Sequence, residues 1–293
     1  MIPWKEIELE DRERINSLIC DSGCHGADYS FANLYMWRNE YKPQIYFNDN
    51  RLLVGNPDWD VYAYPKGGGD VTPSIEMLLD DAHKRGKKLI IRGLTDYTLE
   101  EFLPIYGERF EISEDRDNAD YIYSADKLCN LPGRKLSAKR NHINKFECNG
   151  DWSFVELTSD NLELARGFIE AFYLEKNDPT LAVEAVAIDE MFANYDALGF
   201  LGGLLYQNGK IVAFSAGTPL DDEVFDVHFE KALPDVEGAY TMINREFARL
   251  VVERYPNIGA FNREEDMGLE GLRKAKLSYH PDILLMKYFA TEK

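Results

Sequence analysis

The segment Val224–Phe229 alternates so that Phe225, Val227 and Phe229 share one face of a strand, while Asp226, His228 and Glu230 share the other. Three adjacent ionisable side chains on one strand can orient a nucleophile and move its proton, and His228 is the one placed to titrate near neutral pH. The solvated side of an antiparallel sheet produces the same alternation with no function attached. Asp226, His228 and Glu230 are therefore the candidate acid–base group, set against that plainer reading.

Two further places carry charge where the pattern does not call for it. Lys127–Phe146 contains Lys127, Arg134, Lys135, Lys139, Arg140 and Lys145 and no acidic residue. The whole chain has 33 basic and 52 acidic residues and a net charge of −19, so this is a local reversal. Past Pro132-Gly133 the stretch reads as a helix with Leu136 and Ile143 on one face. Lys139 and Arg140 flank that apolar strip and are the candidates for gripping a phosphate or carboxylate. The alternative is a solvated face complementing the acidic run Glu111–Asp120. Lys276 falls on the apolar side of a helix with Leu269, Leu272 and Tyr279. A buried ammonium must meet an acidic partner, here Glu264, Glu265 or Asp266, or a bound anion.

The elements that must hold these residues repeat. At 293 residues the chain exceeds one ordinary core, so two domains are expected. The first half reads as strand Trp4–Leu9, a helix capped by Asp11, an aromatic helix Phe31–Trp37, and a hairpin around Asn48-Asp49-Asn50. Strand Val61–Tyr64, a helix begun by Pro73, strand Lys88–Ile91, helix Leu99–Tyr106 and two last strands follow. The second half gives strand Phe154–Leu157, helices from Asp160 and Ile188, a hairpin at Asn208-Gly209, strand Val224–Phe229 and helix Ala239–Tyr255. Strand Ile258–Phe261, helix Leu269–Tyr279 and strand Ile283–Phe289 complete it. The hairpin recurs about 160 residues on, too far for a solenoid repeat. The fold expected is α/β (α+β), two tandem domains of mostly antiparallel mixed sheet flanked by helices. Residues 1–125 form the first domain, 126–150 a basic linker helix and 151–293 a second domain with the active site.

This element order resembles that of the GNAT acyltransferases. There the strand corresponding to Val224–Phe229 leads into a Q/R-x-x-G-x-G/A loop, whose amides hold the coenzyme A pyrophosphate at a helix N-terminus. Gly238-Ala239 fits the end of that motif, and Gly238 is the candidate phosphate contact. No Gln or Arg opens the motif, and Asp235 and Glu237 put negative charge beside it, which disfavours acyl-CoA as donor.

Composition bounds the rest. An acidic surface repels DNA and anionic membranes away from the basic patch. No apolar run has the length of a membrane span, and Met1–Glu6 has no leader pattern, so a cytoplasmic protein without integral membrane association is expected. The four cysteines, Cys20, Cys24, Cys129 and Cys148, are then reduced. Cys20-x3-Cys24-His25 lacks a second closely spaced ligand pair, so no metal is expected.

Three segments together resemble the C-terminal domain of phosphatidylglycerol lysyltransferases and the bacterial proteins grouped with it. They are Leu128-x2-Leu131-x-Gly133-Arg134-Lys135-Leu136 with its basic helix, Asp226–Pro234 with Gly238-x2-Thr241-Met242, and Gly271-Leu272-Arg273-x2-Lys276 before Pro281. The resemblance implies a tandem GNAT fold, an aminoacyl- or acyl-transferring site in the C-terminal half facing the interdomain cleft, and an aminoacyl-tRNA donor. It implies functional roles for Asp226, Arg273 and Lys276. The chain departs from the lipid-modifying enzymes in having no transmembrane part. It also carries His228 and Glu230 where they have a basic residue shortly after the strand aspartate. The function expected is a soluble aminoacyl- or acyltransferase acting on an amine or hydroxyl. A non-catalytic GNAT-like module for a small anionic ligand or a protein partner is the alternative.

Overall fold

A computed structural model of the chain describes residues 1–20, 25–56, 58, 61–176 and 181–293. The chain forms two compact units. The first comprises Met1–Tyr121, Glu264–Lys276 and Ile283–Lys293, and the second Ile122–Arg263 and Leu277–Asp282.

The first unit is built on a sheet ordered Lys5–Glu6, Gln44–Asn48, Arg51–Asn56, Val61–Ala63, Ile90–Leu94, Tyr288–Glu292, Phe110–Glu114. Asp49 takes a left-handed φ of 52° in the turn that closes the expected hairpin, where Asx residues are tolerated. Helix Thr72–Lys84 starts on Pro73 as expected and buries Ile75, Leu78, Leu79 and Ala82. These pack with Tyr62, Tyr64, Ile91, Phe102 and Phe110 into the core of this unit.

Within the second unit the strand order is Trp152–Glu156, Leu201–Gln207, Lys210–Pro219, Val224–Ala232, Ala260–Asn262, Asp120–Ser124. Asn208 and Gly209 both have positive φ, 51° and 75°, the geometry of a tight hairpin turn. Helix Ala239–Arg254 lays Met242, Ile243, Phe247 and Val251 onto the sheet, and Phe225 meets Phe247 and Phe261 at 5.8 and 6.1 Å.

The two sheets match. In each the fourth and fifth strands are parallel, Val61–Ala63 with Ile90–Leu94 and Val224–Ala232 with Ala260–Asn262. In each the sixth place is filled from the other half of the sequence. Tyr288–Glu292 lies between Ile90–Leu94 and Phe110–Glu114, antiparallel to both. Ile122–Ser124 pairs antiparallel with Ala260–Asn262.

This exchange corrects the expected boundaries. Residues 1–125 lack a strand of their own sheet, and 151–293 contain one that belongs to the first. The basic segment is no separate linker: helices Ala125–Asn130 and Ser137–Cys148 belong to the second unit, with Leu128, Ile143 and Phe146 in its interior. Smaller differences are local. Trp4–Leu9 is only a two-residue strand, Lys5–Glu6, followed by a 3-10 turn. The single strand expected at Ile283–Phe289 is two, Ile283–Leu285 and Tyr288–Glu292.

Candidate active site in the second unit

Val224–Ala232 is an interior strand between Lys210–Pro219 and Ala260–Asn262, and its residues Val224–Phe229 are buried on both faces. Asp226 is fully buried and His228 is 8% exposed, which removes the solvated-face reading of the alternation. The neighbouring strand shifts register between Ala216 and Thr218. Only glycine fits at 217, because a Cβ there would stand 2.1 Å from the Asp226 carbonyl oxygen. That irregularity re-aims the strand, and Thr218 Oγ1 lies 2.9 Å from His228 Nε2. On the other side of the ring, His228 Nδ1 is 3.6 Å from Asp226 Oδ2, an ion-pair distance longer than a hydrogen bond. Phe200 packs against the imidazole at 5.3 Å.

Two residues further along the strand, Glu230 is held at both oxygens. Arg263 Nη2 donates to Oε1 at 2.7 Å and Asn244 Nδ2 donates to Oε2 at 3.0 Å. Arg263 follows directly on the parallel strand Ala260–Asn262, at the carboxyl end where open sheets place ligands. Burial opposes its charge, but Glu230, Tyr123 and Tyr279 hold its protonation above the ordinary guanidinium range.

Helix Ser137–Cys148 brings Lys139 to the same group, with its ammonium 3.9 Å from the Tyr279 ring centroid. The Arg263 guanidinium stands 5.1 Å from that centroid and 5.7 Å from the centroid of Tyr123. The two rings meet edge to face at 6.3 Å. Burial, with Arg263 adding, pushes the Lys139 amine down to about 8, against the pull of Glu230. Burial pushes the Tyr279 hydroxyl up to about 12, with Arg263 opposing and Glu230 adding. The arrangement is a cluster of two cations and one carboxylate against two aromatic rings. Chemically it can bind an anion or supply an amine that is partly neutral near pH 8.

The sequence-derived candidates divide. Asp226, His228, Glu230 and Lys139 all belong to the second unit, and Lys139 with Glu230 to one group of interacting charges. Arg140 does not face an anion: its guanidinium donates to the carbonyls of Leu131 and Gly133, closing the left-handed end of helix Ala125–Asn130. Arg273 lies in the first unit, spanning Asp266 and Asp117 at 2.7 and 2.6 Å. Asp266 is held far below the usual carboxylate range because Arg273, Tyr121, Gly268 and Arg116 overcome its burial. Lys276 is buried as expected, and its ammonium donates to the backbone carbonyls of Glu264 and Glu265 at 3.1 and 2.5 Å. Gly238 has φ 86° and would press a Cβ to 2.3 Å from the His142 carbonyl oxygen. It serves a close helix approach. The Cys20 side chain and Cys24 lie outside the described residues.

Sequence reading missed Arg263, Asn244, Tyr123 and Tyr279. Arg263 had a usable signal, a cation immediately after a strand parallel to the catalytic-looking one. Tyr279 was read as part of an apolar helix face and as that helix's last residue.

The chain belongs to the family described as phosphatidylglycerol lysyltransferase, C-terminal, which matches residues 22–291. A conserved protein of unknown function from Bacteroides thetaiotaomicron is 39% identical, with TM-score 0.90 and 100% of both chains covered. L-PGS from Bacillus licheniformis shares the fold at TM-score 0.67 and 15% identity, over 100% of this chain and 94% of that one. The two units are tandem GNAT-like folds, as in a tandem GNAT protein from the clavulanic acid biosynthesis pathway, at TM-score 0.50 and 9% identity over 99% and 98% of the chains. An uncharacterized protein of Mycoplasmoides gallisepticum is 25% identical over 178 residues, 58% of this chain, and the match spans 55% of that relative. Among the described residues no helix is long and apolar enough to cross a membrane.

Proposed function

We propose that the protein transfers an aminoacyl or acyl group to an amine or hydroxyl acceptor at the Lys139–Arg263–Glu230 cluster of the second unit. The observation that carries this reading is the placement of Lys139 beside the buried Arg263–Glu230 pair. Family membership supports the reaction class. In it, Lys139 and Arg263 hold the anionic part of the donor. His228, oriented by Thr218 and Asp226, takes the proton of the acceptor as its nitrogen or oxygen bonds to the donor carbonyl carbon. The carbon–oxygen bond of the donor ester then breaks, and the leaving hydroxyl recovers a proton.

An aminoacyl-tRNA donor fits better than acyl-CoA. The Ala239 amide, which a pyrophosphate would need, already donates to the Val236 carbonyl at 3.1 Å, and Glu237 stands in the same loop, paired with Lys145. The depth of Asp226 and His228 favours a second reading, a module that binds an anionic ligand without turnover.

The test offers labelled aminoacyl-tRNA and, separately, labelled acyl-CoA to the protein with a small-molecule extract as acceptor. Transfer from aminoacyl-tRNA that falls at least about 100-fold in His228→Ala and Arg263→Met supports the proposal. Binding without transfer, weakened in Lys139→Ala, would establish the second reading instead.

A further inference from the structure

The aromatic segment Phe31–Trp37 is not used by the site above. It lies wholly in the first unit, where Leu34, Trp37 and Tyr41 join strands Arg51–Asn56 and Val61–Ala63 around a cavity of about 380 Å³. That volume suits a small organic ligand. Trp37 and Tyr41 meet at 5.7 Å, and Val54, Val61 and Met267 extend the apolar wall.

The remaining wall is charged, and unevenly so. Asp28, Glu264, Glu265 and Arg92 line the cavity. Lys287 is buried beside it, its ammonium 2.7 Å from Asp28 Oδ2 and 2.6 Å from Asp120 Oδ1. Asp28, Glu264 and Glu265 set three carboxyl groups against the Arg92 guanidinium on the lining. Lys287 is committed to Asp28 and Asp120, and the charges of Arg92 and Lys66 act on Asp28. Burial, with Glu264, Asp120 and Asp28 adding, pushes the Glu265 carboxyl up to about 7 against the pull of Lys287. Tyr41 is pushed up in turn by burial and by Glu265.

We propose that this cavity binds a small organic cation, a primary amine on an apolar body, with the ammonium against Glu265 and the body along Trp37 and Tyr41. The ammonium pairs with the ionised carboxylate, and the rings add attraction through their faces. A bare metal ion would leave the apolar wall unfilled. Its test does not use the transfer reaction.

The charged and titratable groups around Glu265 are Asp28, Tyr41, Lys66, Arg92, Asp120, Glu264, Lys276 and Lys287. Because an ammonium pairs with ionised Glu265, binding displaces its proton. Affinity should rise as pH increases toward about 7, by up to about tenfold per pH unit below that point, and level off above it.

Calorimetry with hexylamine and 2-phenylethylamine, beside hexanol, hexanoate and calcium chloride, checks the proposal at pH 6 and pH 8. The amines are expected to bind at least about tenfold tighter than the alcohol or the acid. Glu265→Gln should lower amine affinity about tenfold at pH 8 and flatten its pH dependence. Trp37→Ala should weaken binding and keep the slope. The Glu265→Gln protein should also melt higher than wild type at pH 8, which shows that it folds. Equal binding of amine and alcohol, tighter binding of hexanoate, displacement of the amine by calcium, no heat from either amine, or an unchanged pH slope in Glu265→Gln would each overturn the assignment.

Discussion

At Lys139 the fold places an amine where its charge is costly, and two consequences separate cleanly. The amine titrates near 8 in the folded protein and at 10.5 when free of it. Between those values the unfolded chain binds the extra proton, so stability gained from this group rises with pH across that window, and the cost is fully present below it. Lys139→Met should therefore raise the melting temperature at pH 7, by an amount that shrinks toward pH 10.5, while transfer is lost. Melting curves across pH 7–10.5 check this, and a melting point lowered at pH 7 would contradict it. Lys276 behaves in the opposite way. Its ammonium holds two backbone carbonyls of the segment Glu264–Glu265. Lys276→Met should cost about 1–3 kcal/mol in the ligand-free protein by leaving them without their charged donor. Urea denaturation measures it, and an unaltered midpoint would show that the carbonyls find other donors.

The elements test the reading differently. Helix Ala239–Arg254 begins at Gly238, whose left-handed backbone lets it approach the chain at His142. Gly238→Ala should destabilise the protein by about 2 kcal/mol or more through strain and contact, and a circular dichroism melt would register it. Most elements were legible because their signals are local. Asn208-Gly209 dictates its turn, Pro73 opens its helix, and the Phe225, Val227, Phe229 alternation marks its strand. What escaped depends on partners distant in sequence. Nothing within Tyr288–Glu292 states which sheet it joins, since any edge satisfies its backbone. For the same reason Arg140 looked like an anion anchor: a cation beside an apolar strip reads alike whether it faces a ligand or its own loop carbonyls. Lys139, one residue earlier, reaches the Tyr279 ring instead.

For the whole molecule, the division into units follows strand pairing and not chain order. The first sheet needs Tyr288–Glu292, and Glu292 also accepts from the Leu89 amide at 3.1 Å and from Arg109 at 2.9 Å. Deleting residues 283–293 should therefore unfold the first unit, with loss of its amide protection in hydrogen exchange, although the deletion removes none of residues 1–121. A fragment of residues 1–125 should likewise fail to fold alone. Retention of native-like protection across Ile90–Leu94 in either protein would refute the role given to this strand.

That dependence reaches back to the ribosome. Phe110–Glu114 leaves the exit tunnel some 180 residues before its neighbour Tyr288–Glu292 does, a delay on the order of ten seconds at ordinary rates of synthesis. Throughout that interval Ile90–Leu94 and Phe110–Glu114 each lack the strand that will part them. An unpaired edge of this kind invites pairing with another chain. The sequence Phe-Glu-Ile-Ser-Glu bears Glu111 and Glu114 on one of those edges. In the finished protein both carboxylates are exposed, and charge on an open strand edge is a general protection against pairing with another chain.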